Sequence, residues 1–199
     1  MELELKYKVK EFPFELIETL GFVKSKESRQ IDWYYIVNDN EIFDKRTYLR
    51  SRINVLEKSF SFDFHQIIEC KEDKKRVGTE ETEPKLFSLD DIYENEKLWG
   101  KAFYWFSFKC EVDKHRIVYK KDNIKIMLDM LDYLGKFVEI EIKGKNNQEN
   151  RDILDKKAEK LGLKEENRVD KKGYPDLIKE KNITTGRKTR EEIIKILNE

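Results

Sequence analysis

The sequence predicts an α+β fold in which antiparallel strands predominate. Several segments alternate polar and apolar residues with a period of two, which indicates strands that have one polar and one apolar face. A few other segments carry helix-capping residues and helical periodicity instead. The chain of 199 residues is 41% charged, but its 12% aromatic content predicts a folded core rather than disorder.

The strand predictions rest on this alternation. In the first segment every second residue is charged from Glu2 to Lys10, and the residues between them are apolar. The other strand-like segments are rich in aromatic and β-branched residues, which favour pleated structure. Strands are predicted over 2–10, 31–37, 47–55, 60–71, 101–119, 124–129 and 137–143.

The helix predictions rest on residues that begin or end helices. Pro13 and Gly21 stand near the two ends of the first helix, and Thr189 precedes Glu192 by three residues, as in a capping box. Helices are predicted over 12–22, 88–98, 147–163 and 189–197. Together, the elements predict one domain over residues 1–182 and a C-terminal helical extension over 183–199.

The composition argues against several functional classes. Basic and acidic residues balance at 41 each, so the excess of positive charge typical of nucleic-acid binding is missing, and a nucleic-acid partner is disfavoured. Cys70 and Cys110 have no metal-ligand spacing, which predicts free thiols in a reducing compartment. There is no apolar run of membrane-spanning length and no signal-peptide pattern, so a cytoplasmic location without a membrane partner is expected.

Two strands carry a pair of carboxylates on one face. Glu2 and Glu4 share a face with Lys6, and Glu139 shares a face with Glu141. Hard divalent cations such as Mg²⁺ prefer carboxylate oxygens, whereas phosphates prefer Lys and Arg. One interpretation is a site for a metal-chelated polyphosphate. The alternative is that these charged faces simply meet water, as in many half-exposed strands.

Basic pairs lie between the two acidic strands. Arg50 and Arg52 share a face, as do Lys114 and Arg116. If all of these charged faces point inward, the strands would close into an antiparallel β-barrel with a charged interior. Such closure would also remove exposed strand edges.

The ordered set of motifs resembles the CYTH family, also called the triphosphate tunnel metalloenzymes. The segment Glu2-x-Glu4-x-Lys6 is similar to the E-x-E-x-K signature of that family. Further similar segments are Asp32–Tyr35, Leu49–Arg52, Glu69–Lys71, Lys114–Arg116, Leu128–Asp129, Leu134–Glu141 and Tyr174–Ile178. The resemblance therefore covers nearly the whole chain.

The resemblance implies a closed tunnel of about eight antiparallel strands with flanking helices. It also implies Mg²⁺ or Mn²⁺ as cofactor and a small-molecule triphosphate as substrate. The implied metal ligands are Glu2, Glu4, Glu139 and Glu141, with Asp129 supporting the metal side or orienting a cation. The implied triphosphate-binding residues are Lys6, Arg50, Arg52, Lys71, Lys114 and Arg116. Tyr34, paired with Lys71, would help to protonate the leaving group; the alternative is a packed strand tyrosine.

The resemblance leaves more than one activity open. We expect a triphosphatase, in which water attacks the terminal phosphorus of a nucleoside, thiamine or inorganic triphosphate. The same charges would serve an adenylate cyclase, in which the ribose 3′-hydroxyl attacks the α-phosphorus of ATP and pyrophosphate leaves. A third alternative is a module that binds a polyphosphate or an RNA end without cleaving it. A homodimer is compatible with the sequence, which does not specify the oligomeric state.

Overall fold

The structure is a computed structural model that describes residues 2–37, 47–69, 77–81, 85–88, 106–169 and 172–199. Its strands are β1 (Glu2–Val9), β2 (Val23–Val37), β3 (Thr47–Asn54), β4 (Ser59–Glu69), β5 (Val77–Glu81), β6 (Lys85–Phe87), β7 (Phe106–Lys121), β8 (Ile124–Leu131) and β9 (Gly135–Lys143). Its helices are α1 (Phe14–Thr19), α2 (Gln148–Lys160), α3 (Tyr174–Glu180) and α4 (Arg190–Asn198), with a 3₁₀ turn at Glu165–Asn167. In the part of the chain described, no helix is long and apolar enough to cross a membrane.

The chain divides into two compact units. The first comprises residues 1–27, 67–80 and 114–173, and the second comprises residues 28–66, 81–113 and 174–199. All strand pairings with a described register are antiparallel.

The first unit is built around β1. This strand pairs with β9 on one side and with β5 on the other, while β8 pairs with both β9 and β7. The apolar residues of the alternating strands share one face, against which α2 packs. The buried residues of this core are Leu3, Leu5, Tyr7, Ile17, Phe22, Tyr119, Ile124, Ile126, Leu128, Val138, Ile140, Ile142, Leu154, Ala158 and Leu161.

The second unit has its own core. Strand β3 pairs with β2 and β4, and β4 also pairs with β6. The buried residues of this core are Ile31, Trp33, Leu49, Ile53, Phe60, Phe62 and Ile193. The last of these belongs to α4, so the C-terminal helix supplies a core residue. Helix α4 begins with the capping box predicted from the sequence, in which Thr189 and Glu192 bond reciprocally.

The segment before α4 is tied to β7 through Glu111. The Glu111 carboxylate accepts hydrogen bonds from the indole N–H of Trp33 at 2.8 Å, from the backbone N–H of Lys188 at 3.0 Å and from the Lys188 ammonium. The backbone N–H of Glu111 donates to Thr185 Oγ1 at 2.8 Å. The Arg187 guanidinium lies 4.4 Å from the centre of the Trp33 ring. Polar contacts therefore hold this segment beside the core.

The prediction of a closed barrel of about eight strands is not met within either compact unit. The nine described strands belong to one antiparallel sheet with flanking helices. Within each unit the paired strands form an open arrangement, β7-β8-β9-β1-β5 in the first unit and β2-β3-β4-β6 in the second. The prediction rested on inward-facing charge and on the family resemblance, and neither shows that the strands divide between two compact units.

Most predicted strands match observed strands, and the differences have local causes. Strand β2 begins at Val23 rather than at the predicted residue 31, because its first residues are polar on both faces and give no alternating signal. Helix α2 ends at Lys160, before Gly162 adopts a positive φ of 68°. Helix α3 includes the segment Tyr174–Ile178, for which the sequence predicts a family motif but no helix. The helix predicted over 88–98 falls largely outside the described residues.

Candidate functional site

Both faces of the sheet in the first unit are largely buried. The residues between the apolar core positions project from the opposite face, because side chains alternate along a strand. These residues are charged, yet Lys6 is 7% exposed, Glu139 4%, Glu141 8%, Lys114 3% and Asp129 0%. The interpretation of strand faces that simply meet water is therefore wrong for this group.

Lys6 is held by two carboxylates. It lies opposite Glu139 in the β1–β9 register, and its ammonium is 3.0 Å from Glu139 Oε1 and 3.3 Å from Glu4 Oε1. The ammonium also donates to the backbone carbonyl of Lys172 at 3.3 Å. Burial alone would lower the pKa of Lys6, but the charges of Glu139 and Glu4 outweigh it and raise that pKa above its ordinary value. Lys6 therefore carries a fixed positive charge.

Glu139 and Asp129 position the guanidinium of Arg116. Arg116 donates to Glu139 Oε2 at 2.5 Å, and its Nε donates to Asp129 Oδ1 at 2.5 Å. Burial alone would raise the pKa of Glu139, but the charges of Lys6, Arg116 and Lys114 lower it far below its usual range. Glu139 therefore stays ionised, and two acceptors orient Arg116.

Glu141 lies at an end of the charged face where carboxylates gather. It is directly opposite Glu4 in the β1–β9 register and opposite Lys125 in the β8–β9 register. The Lys125 ammonium is 2.6 Å from Glu141 Oε1 and 3.4 Å from Glu2 Oε1. Burial raises the pKa of Glu141 to about 7; Lys125 only partly offsets this, and the charges of Glu2 and Glu4 add to it. Negative charge is thus poorly compensated at this end.

In the second unit, two arginines predicted to bind phosphate are each paired with an aspartate. Arg52 donates to both carboxylate oxygens of Asp32, at 2.7 and 2.8 Å. Arg50 donates twice to Asp63 Oδ2, at 3.3 and 3.0 Å. The pairing partners lie directly across the strands, Asp32 on β2 and Asp63 on β4. The guanidinium groups of Arg50 and Arg52 are therefore held in fixed orientations.

Tyr34 lies on the same face of the second unit, opposite Arg50 in the β2–β3 register. Its ring contacts Tyr48 edge to face, with ring centres 6.0 Å apart. Burial raises the pKa of the Tyr34 hydroxyl, with a further contribution from Asp32, so the phenol stays protonated at neutral pH. These contacts fit the packed-tyrosine interpretation. The role in protonating a leaving group stays a prediction, and its partner Lys71 lies outside the described residues.

The structure therefore gathers most predicted site residues into two groups. The first unit contains Glu2, Glu4, Lys6, Lys114, Arg116, Asp129, Glu139 and Glu141 on one face of its sheet. The second unit contains Tyr34, Arg50 and Arg52. Their individual roles stay predictions. The sequence alone does not assign a role to Lys125 or Asp63, because only the strand register shows which carboxylate or arginine each one faces.

The donor chemistry of the first unit fits a hard divalent cation. Glu2, Glu4 and Glu141 supply carboxylate oxygens, the ligands that Mg²⁺ and Mn²⁺ prefer. Burial raises the pKa of Glu141 and the charges of Glu2 and Glu4 add to this, so a bound cation would stabilise the ionised carboxylate. As the side chains stand, no set of three His, Cys, Asp or Glu residues within the described ranges is arranged to hold a metal ion. Ion pairs with Lys6 and Lys125 occupy carboxylates that a metal would need.

Carboxylates and basic groups are thus interleaved on one largely buried face formed by β1, β7, β8 and β9. The chain belongs to the CYTH domain family, which matches residues 1–173. No curated protein matches the chain.

Several solved structures are similar. The PH1012 protein from Pyrococcus horikoshii is 27% identical with a TM-score of 0.72, covering 89% of this chain and 99% of that one. A Vibrio parahaemolyticus protein, described as a candidate adenylate cyclase, is 18% identical with a TM-score of 0.68, covering 89% and 97%. A Hippeastrum protein, described as a candidate adenylyl cyclase with a dominant triphosphatase activity, is 13% identical with a TM-score of 0.62, covering 96% and 100%. The last two likenesses concern the fold.

Proposed function

We propose that this chain is a divalent-cation-dependent triphosphatase. The observation that carries the proposal is the largely buried charged face of the first unit, which carries both basic groups and carboxylates: Lys6, Lys114 and Arg116, and Glu2, Glu4 and Glu141. Burying charges of both signs has a large desolvation cost and is a poor way to stabilise a fold. A ligand that carries both signs, such as a metal-chelated triphosphate, explains why both are present.

The basic residues bind and orient the triphosphate. Lys6, Lys114 and Arg116 pair with phosphate oxygens and stabilise the negative charge that develops on the leaving oxygen. Asp129 and Glu139 hold the guanidinium of Arg116, so its donors are fixed before the substrate arrives. Burial of these groups strengthens each of the interactions, because solvent screens them weakly.

The carboxylates of the first unit are the proposed ligands of the divalent cation. Glu2, Glu4 and Glu141 would hold Mg²⁺ or Mn²⁺ at the end of the face where negative charge is in excess. When bound, such an ion supplies a Lewis acid that polarises a phosphoryl oxygen. Arg50 and Arg52 are proposed as further phosphate-binding residues on the basis of the motif alone.

The comparisons support this choice of reaction. The Hippeastrum protein shares the fold and is described as having a dominant triphosphatase activity despite its description as a candidate cyclase. The same charged face would also hold the phosphates of ATP for an adenylate cyclase. This second candidate is favoured by the descriptions of the Vibrio and Hippeastrum proteins as candidate cyclases.

The products of the reaction test the proposal. Purified protein is incubated with ATP, thiamine triphosphate or tripolyphosphate, each with Mg²⁺, Mn²⁺ or EDTA, and the products are separated by chromatography. Orthophosphate released only with metal supports the triphosphatase, and the best substrate identifies its class. Cyclic AMP with pyrophosphate supports the cyclase instead. Binding without turnover under every condition contradicts both and favours a polyphosphate-binding module.

Matched variants connect the activity to the site. Glu139→Gln removes the charge that pairs with Lys6 and Arg116, and we expect turnover to fall by about a hundredfold or more. Glu11→Gln is the control, because Glu11 is an exposed partner of Lys136. Equal activity of the Glu139 variant and the wild type would show that the phosphate chemistry occurs elsewhere.

A further inference from the structure

Lys125 occupies the place where a cation would be expected in the first unit. Its ammonium lies between the carboxylates of Glu141, at 2.6 Å, and Glu2, at 3.4 Å. These two acids stand on β9 and β1, while Lys125 stands on β8 directly across from Glu141. One ammonium thus bridges two carboxylates that would otherwise repel each other.

Lys125 differs from Lys6 in how firmly it is held. The side chain of Lys6 is 8% exposed and contacts Glu4, Glu139 and a backbone carbonyl, so it has little freedom to move. The side chain of Lys125 is 35% exposed. A lysine has a long flexible stem, so a partly exposed ammonium can leave its carboxylates for water without disturbing the strand.

We propose that Lys125 is a built-in cation that competes with a divalent ion for Glu2 and Glu141. In the absence of metal it neutralises these acids and keeps the strands from repelling each other. A divalent ion that binds at this end must displace the ammonium, so Lys125 lowers the affinity of the site for metal. This inference rests on the proposed function, because it assumes that the carboxylates bind a divalent ion.

The test is a direct measurement of Mn²⁺ binding, without substrate, by electron paramagnetic resonance or equilibrium dialysis. Lys125→Met keeps the stem and removes the charge. It should bind Mn²⁺ about tenfold more tightly than the wild type, because the free energy of a tenfold change in affinity is only part of one charge–charge interaction at this distance. Lys125→Arg keeps the charge and should bind no more tightly than the wild type.

Lys143→Met is the matched control for a general change in charge. Lys143 is exposed and lies across from Glu2 in the β1–β9 register. If Lys125 acts by occupying the site, Lys143→Met should leave Mn²⁺ affinity close to that of the wild type. An equal gain in affinity from both variants would overturn the proposal, because it would show a diffuse effect of positive charge.

A second measurement covers the case in which the variant folds poorly. Lys125→Met should melt at a lower temperature than the wild type in EDTA and should gain more from added Mn²⁺, because the ion replaces the missing charge. If the wild type binds Mn²⁺ and Lys125→Met binds it no more tightly, the inference fails while the proposed function stands. If neither protein binds Mn²⁺, the inference fails together with the metal dependence of the proposed function.

Discussion

Lys6 lies directly opposite Glu139 in the β1–β9 register, and 3.0 Å separates its ammonium from the Glu139 carboxylate. Both side chains are almost completely buried. A buried ion pair is costly to break by removing one partner, because the other charge stays buried without compensation. The pair therefore has a structural effect that can be separated from its effect on activity.

We expect Lys6→Met to lower the free energy of unfolding by about 3 kcal/mol and to abolish triphosphate turnover. The double variant Lys6→Met with Glu139→Gln should regain part of that stability, because no unmatched charge is left, but it should stay inactive. Urea denaturation of the four proteins in the cycle measures the coupling. Additive losses of stability would contradict the buried pair.

The second prediction concerns pH in the metal-free protein. The pKa of Glu141 is about 7 in the folded state, above its ordinary value of 4.5. Between pH 4.5 and pH 7 the folded state therefore binds more protons than the unfolded state. Stability should therefore fall as pH rises from about 4.5 to about 7, by an amount on the order of 3 kcal/mol. Glu141→Gln should remove this slope when unfolding is followed in EDTA. Parallel pH profiles for variant and wild type would refute the raised pKa.

The third prediction concerns Asp32, which is fully buried and accepts two hydrogen bonds from Arg52. Asp32→Asn leaves the guanidinium without its counter-charge and should lower the free energy of unfolding by about 3 kcal/mol. Asp132→Asn, at an exposed turn position, should change it by less than about 0.5 kcal/mol. Thermal or urea unfolding distinguishes the two. Equal stability of both variants would show that the pair contributes little.

The fourth prediction concerns α4. Ile193 is fully buried in the core of the second unit, so Ile193→Ala should cost about 3 kcal/mol. Ile194→Ala, the same substitution at a half-buried neighbouring position, should cost clearly less. Unfolding can be followed by tryptophan fluorescence, since Trp33 belongs to the same core. A smaller effect at position 193 than at 194 would contradict the packing of this helix.

The sequence predicted the strands of the first unit well because their alternation is strict. In β1, Leu3 and Leu5 read as a core face and Glu4 and Lys6 as a charged face, and both assignments are correct. Alternation cannot show whether a charged face meets water or is buried, since that depends on packing across the whole fold. The burial of Lys6 therefore emerged only from the structure.

The sequence was less informative where partners depend on register or where polar residues fill both faces. Asp63 lies across from Arg50 only because of the pairing between β3 and β4. The start of β2 at Val23 has no apolar face to mark it. The closed barrel was inferred from the charge pattern and from the family resemblance, and neither determines how the strands divide between two compact units.

The alternation of β1 also has a consequence for folding. If β1 slipped by one residue against β9, Leu5 would face Glu139, and Lys6 would enter the apolar core. On an ordinary sheet with one solvated face, such a slip spoils one set of contacts. Here it would spoil both faces, because both are buried. The charge pattern therefore favours the correct strand register, because a misaligned sheet loses stabilising contacts on both of its faces at once.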